Sequence, residues 1–75
     1  MSDFQLDAGE ASCTDLVMLI AKQIKTMKAG QTLEVFSTDL AAHVDIPAWC
    51  RMTGHPLITM EAENSPKQFV IQKRQ

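Results

Sequence analysis

The stretch "CTDLVMLIAKQIKTMKAG", residues 13–30, decides the fold. Leu16, Leu19, Ile20, Gln23, Ile24 and Met27 recur at the spacing of one helix face, and only Gln23 among them is polar. Val17 and Met18 widen the apolar surface. Lys22, Lys25 and Lys28 fall toward the other side and the last turns, where positive charge complements the helix dipole. Ser12, Thr14 and Asp15 are all candidate N-caps and Gly30 a candidate C-cap. The spacing predicts a helix that fills most of residues 13–30.

The segments on either side alternate instead. In "DFQLD", 3–7, Phe4 and Leu6 oppose Asp3, Gln5 and Asp7, and "AGEAS", 8–12, reads as a turn of small residues. In "QTLEVFST", 31–38, Leu33, Val35 and Ser37 oppose Glu34 and Phe36. A helix between two strands makes a right-handed crossover with the strands parallel. "TDLAAHVDIPAWCRMTGH", 38–55, reads as helix in two pieces: Asp39 caps the first, Asp45 the second with Pro47 in its first turn, and Gly54 ends it. "PLITMEAEN", 56–64, and "QFVIQKR", 68–74, alternate as strands, and "ENSPK", 63–67, joins them as a hairpin. The order is β-α-β-α-β-β. Two amphipathic helices on one face of a four-stranded mixed sheet give an α/β (α+β) two-layer sandwich. With no repeat or linker, residues 1–75 are expected to form one domain.

Composition narrows the function classes. A chain of 75 residues buries about 60% of its unfolded surface, so it has one modest core. Hydrophobic content of 45% is enough to build that core and argues against disorder. A net charge of −2 disfavours direct nucleic-acid binding, which needs a basic surface. No apolar run approaches the roughly 18 residues of a membrane span. "MSDFQLDAGE" lacks the basic and apolar regions of a signal peptide. The expected compartment is the cytoplasm, where Cys13 and Cys50 stay reduced rather than pair.

Cys13 is the candidate catalytic residue. A thiol at a helix N-terminus faces free N–H donors and the positive end of the dipole, and both favour the nucleophilic thiolate. Cys50, beside Trp49 in an amphipathic helix, reads as a buried structural thiol. His43, Cys50 and His55 match no common zinc spacing, so no metal site is expected. His55 is placed at the turn into the third strand. Met18, Met27, Met52 and Met60 fit core or half-exposed packing. Glu61 and Glu63 are read as one solvated strand face, and Lys22, Lys25 and Lys28 as a solubilising helix surface, with docking of an acidic partner the alternative. No phosphate loop, serine elbow or carboxylate pair is present.

With the element order, "DIPAWCRMTGHPL" at 45–57, "LD" at 6–7, "KAGQTLEVFSTD" at 28–39 and "FVIQK" at 69–73, the chain resembles the TusA/SirA family of small sulfur-carrier proteins from about Phe4 to Lys73. The resemblance implies that a cysteine opening the first helix, here Cys13, accepts sulfane sulfur as a persulfide and passes it to a partner protein. It also implies a sulfurtransferase-like carrier; no cofactor is expected. A cysteine desulfurase or other sulfurtransferase would be the donor and a DsrE-like protein the acceptor. Such relays serve tRNA thiolation, cofactor synthesis or sulfur oxidation. A helix N-terminus suits this chemistry because it stabilises thiolate and persulfide anions alike. The chain departs from the family's Cys-Pro-x-Pro motif: Thr14, Asp15 and Leu16 follow Cys13, Glu10 and Ala11 stand where Gly-Leu is expected, and Leu40 replaces a proline after Asp39. The alternative reading is therefore a non-catalytic interaction or regulatory module on the same fold. A monomer fits the small size.

Overall fold

The computed structural model describes residues 3–11, 13–63 and 66–74. Its elements are β1 (Phe4–Gly9), α1 (Cys13–Lys25), β2 (Thr32–Ser37), α2 (Ala42–Thr53), β3 (Leu57–Glu61) and β4 (Lys67–Gln72). The strands form one mixed sheet in the order β1-β2-β4-β3. β1 and β2 are parallel, and β4 runs antiparallel to both β2 and β3. The expected order of elements and the mixed sheet are both observed.

Strand alternation decides what the sheet buries. Leu33 pairs with Phe4 and Ile71, and Val35 with Leu6 and Phe69. These side chains share one face, where Leu16, Ile20 and Ile24 of α1 and Ala42, Ile46 and Cys50 of α2 pack on them. Both helices therefore lie on the same face. The opposite face carries a polar row across three strands beside the half-buried Phe36 and Val70. Glu34 Oε1 accepts from Gln5 Nε2 at 3.0 Å, and Glu34 Oε2 accepts from Gln68 Nε2.

Several boundaries differ from the sequence expectation. α1 stops at Lys25, short of Gly30. The N–H groups of Thr26 and Met27 turn to the carbonyls of Gln23 and Ile24 at 3.1 and 3.0 Å, an i−3 pattern that tightens the last turn. Met27 still packs into the core at 4% exposure, which is why the apolar period outruns the helix. Gly30 is not a C-cap. It turns the chain at φ +90° and donates its N–H to the Lys73 carbonyl at 2.8 Å. Leu19, expected inside, is exposed.

α2 is one helix, not two. The Ala41 carbonyl accepts from both Val44 and Asp45 N–H at 2.9 Å, so the helix begins before Asp45, the expected cap of a second piece. Neither Asp39 nor Asp45 caps it, because Ala41 is the N-cap and no side chain bonds there. Pro47 lies in the helix interior, with no N–H to reach the His43 carbonyl. The stripe Ala42–Ile46–Cys50, all buried, holds the helix through that gap. Gly54 ends α2 as expected: its φ of +81° is left-handed, and its N–H donates to the Cys50 carbonyl at 2.9 Å.

β1 runs on through Ala8 and Gly9, with a bulge between Asp7 and Gly9, so the turn is shorter than expected. β3 ends at Glu61, and Glu63 lies past the strand rather than on a shared strand face. Of the expected hairpin "ENSPK", Asn64 and Ser65 lie outside the described residues, as does the candidate cap Ser12.

Candidate functional site

Parallel pairing sets where the site is. Because β1 and β2 run the same way, the loops that follow them leave the sheet at one end, and α1 and α2 both start there. The carboxyl ends of parallel strands are where α/β folds collect ligand and reactive groups. Cys13 is the first residue of α1, so its backbone stands at this end and in the first helical turn. Asp15 lies in the same turn.

The turn that presents Cys13 is bolted to its neighbour strand. Gly9 adopts φ +53°, a left-handed conformation that favours glycine. Its N–H donates to Asp7 Oδ1 at 3.0 Å, and the Ala11 N–H donates to the Ala8 carbonyl at 3.0 Å. The Gly9 carbonyl accepts twice from Thr38, from its N–H and from its Oγ1, both at 2.9 Å. The ends of β1 and β2 are thereby locked together four residues before α1 begins. Nothing in the alternation pattern pointed to Thr38, whose role depends on the strand register. Beyond it, Ser37 is fully buried and its Oγ accepts the Asp39 N–H at 3.1 Å. Oδ2 atoms of Asp39 and Asp45 are buried without a hydrogen-bond partner among the described residues. Asp39 precedes the first turn of α2 and Asp45 lies in it, where the positive end of the helix dipole offsets part of that cost.

Cys50 sits in a different environment. It is 4% exposed, and burial pushes its thiol up to about 11 from an ordinary 9.0. At neutral pH it is a protonated core group and a poor nucleophile. It forms the floor of a shallow pocket of about 360 Å³ near the C-terminal end of α2, bordered by Pro47, Arg51, His55 and Leu57. His55 stacks on Trp49 with ring centroids 5.5 Å apart, and its Nδ1 accepts the Arg74 N–H at 3.1 Å. Burial first, then the positive charges of Lys73 and Arg74, lower the His55 pKa from 6.5. The sequence located His55 at this turn but carried no signal for Arg74 as its partner.

His43, Cys50 and His55 are not brought together. His43 is exposed in the first turn of α2, Cys50 is buried two turns later, and His55 lies past the helix end. Among the described residues, no group of three His, Cys, Asp or Glu side chains could hold a metal ion. No helix among them is long and apolar enough to cross a membrane.

The family model described as Sulfurtransferase TusA matches residues 4–73. The chain belongs to the TusA sulfurtransferase family. The match spans every element of the fold. Membership supports a sulfur-carrier role that works through protein partners. Within the TusA frame, Cys13 opens α1, and Cys50 is a buried residue of α2 at the base of the pocket. Leu16, where the Cys-Pro-x-Pro motif would place its second proline, is fully buried.

Proposed function

We propose that this TusA-family chain carries sulfane sulfur as a persulfide on Cys13. The observation that supports this reading best is the contrast between the cysteines. One begins a helix at the carboxyl ends of two parallel strands, and the other is buried and held protonated. In the loading step, the Cys13 thiolate attacks the outer sulfur of a donor protein's persulfide. A new S–S bond forms at Cys13, the donor's S–S bond breaks, and the donor cysteine leaves as a thiolate. In delivery, an acceptor thiolate attacks the outer sulfur and Cys13 leaves as a thiolate. Neither step needs an external oxidant or reductant. The first-turn N–H groups of α1 stabilise the anion in both states. A cysteine desulfurase or another sulfurtransferase fits as donor and a DsrE-like protein as acceptor. The carrier acts as a monomer in the reducing cytoplasm.

Incubation with a cysteine desulfurase and L-cysteine, followed by intact mass, tests the assignment. The wild type gains one sulfur atom and Cys13→Ser gains none. Loading that survives in Cys13→Ser moves the role to Cys50, and no loading of the wild type removes the reading.

A second reading is favoured by one observation, the Asp15 carboxylate in the first turn of α1, which opposes an anion there. It takes the chain as an interaction or regulatory module that no longer transfers sulfur. In that case Cys13→Ala leaves the cellular phenotype intact.

A further inference from the structure

Charge is segregated along the strand axis. Glu10, Asp15, Asp39, Asp45, Glu61 and Glu63 all belong to the end where β1, β2 and β3 finish and α1 and α2 start. These are six of the nine acids, and only Lys67 accompanies them. Lys22, Lys25, Lys28, Arg51, Lys73 and Arg74, six of the seven cations, belong to the opposite end together with Asp3. Helix-dipole complementarity accounts for part of this, since Asp15 and Asp45 lie in first turns and Lys22, Lys25 and Arg51 in last turns. It does not account for Glu10, Glu61, Glu63, Lys73 or Arg74, which lie on strands and loops. Solubility alone is served by interspersing the two signs.

The acidic end is also apolar. Leu40 is 82% exposed, Val44 58% and Met60 45%. Leu40 stands in the loop that leads into α2, where the family pattern has proline, and Val44 lies in the first turn. At the end of β3 a recess of about 470 Å³ is lined by Met60, Glu61, Ala62 and Glu63. An exposed methionine and two carboxylates lining one recess suit the aliphatic stem and charged head of a lysine or arginine. Exposed apolar groups inside a charged rim mark protein contact surfaces.

We infer that the Cys13 end is a docking surface for a partner protein whose contact face presents lysine and arginine around an apolar centre. Strands of six residues separate the two ends by about 20 Å, about two Debye lengths at 0.1 M salt, so a partner at this end meets an acidic field only partly cancelled by the basic end. The inference rests on the carrier reading of Cys13 and adds the chemistry of the protein that meets it. The surface draws basic partners to the thiol and turns acidic ones away.

The test uses two synthetic peptides. Each carries one cysteine activated as a 2-pyridyl disulfide and two leucines, flanked by four lysines in one peptide and four glutamates in the other. Attack by the protein thiolate forms a mixed disulfide and releases pyridine-2-thione, which is followed by absorbance, with Cys13→Ser as blank. After normalisation to free glutathione, the lysine peptide reacts about tenfold faster at low salt, and the preference shrinks toward parity at high salt. The triple variant Glu10→Gln/Glu61→Gln/Glu63→Gln lowers the preference several-fold. Equal normalised rates, or a preference unchanged in the triple variant, overturn the inference. The desulfurase assay separates the two proposals. A wild type that loads sulfur without charge preference overturns the docking surface and keeps the carrier. A wild type with the preference but no loading keeps the docking surface and overturns the carrier.

Discussion

Raising the pH should strip stability from the fold through Cys50. The thiol is 4% exposed, and burial moves it from 9.0 to about 11. The unfolded chain releases this proton near 9, whereas the folded chain holds it until about 11. Stability attached to the group is therefore complete below 9 and declines as pH rises toward 11. Each pH unit is worth about 1.4 kcal/mol, so the full loss is about 3 kcal/mol. A chain of this length has a total stability of about 4–11 kcal/mol, so the loss is a large fraction of it. The assay is urea unfolding followed by the fluorescence of Trp49, the single tryptophan, at steps from pH 8 to 11. Lysines titrate in the same range, so the informative quantity is the difference between wild type and Cys50→Ala. That difference shrinks steadily above pH 9, after a constant offset for the lost side chain at lower pH. Parallel curves across the range would refute the burial argument. They would also reopen Cys50 as a nucleophile, since a thiol that ionises freely is not sealed in the core.

Four further outcomes follow from the packing. Phe69→Ala, at a fully buried central position, should cost about 3–5 kcal/mol and leave the chain largely unfolded by circular dichroism. His55→Ala should cost about 1–2 kcal/mol in urea unfolding through the lost Trp49 stack and Arg74 bond. Because the folded pKa of His55 is lowered, wild-type stability should fall as pH drops below 6.5, and His55→Ala should lack that component. Glu34→Ala should cost about 1 kcal/mol by removing the shared acceptor of Gln5 and Gln68, with Glu34→Gln less affected. Thr14→Pro should leave the melting temperature unchanged or slightly raised, while Leu16→Pro lowers stability by about 3 kcal/mol or more.

Most of the fold was legible because alternation and helical period are local signals. Leu33, Val35 and Ser37 are buried, as their spacing requires, and Leu16, Ile20 and Ile24 form the inner stripe of α1. Errors came where a tertiary partner overrides the local pattern. Met27 satisfies a helical period but is reached by a tightened turn, which Lys73 Nζ secures by donating to the Met27 carbonyl at 2.7 Å, from 46 positions away. Pro47 looked like a helix start because a proline is cheapest there. The buried stripe of α2 carries it in the interior instead. At the candidate site, the position of Cys13 at a helix start was readable. The Thr38–Gly9 lock was not, since it exists only once β1 and β2 are paired. Charge segregation was hidden for a similar reason. Glu10, Asp39 and Glu61 are scattered along the chain and share an end only through the strand directions.

Those observations bear on what the absent prolines mean. A proline in the first helical turn presets φ and has no N–H to waste. Thr14 and Leu16 give up that rigidity and restore N–H groups. Leu16 is fully buried against the core, three residues after Cys13. Upstream, the Gly9 carbonyl is held by two bonds from Thr38. The segment that presents the thiol is thus anchored on both sides, by packing on one and hydrogen bonding on the other. The loss of the motif's frame therefore does not imply a loosened site. What the substitutions change is polarity. Asp15 and Glu10 bring negative charge to the segment, and Leu40 turns an exposed apolar side chain outward at the same end. Glu10, Asp15 and Leu40 all lie at the Cys13 end, so the departures from the motif add charge and apolar surface where a basic partner would meet the thiol.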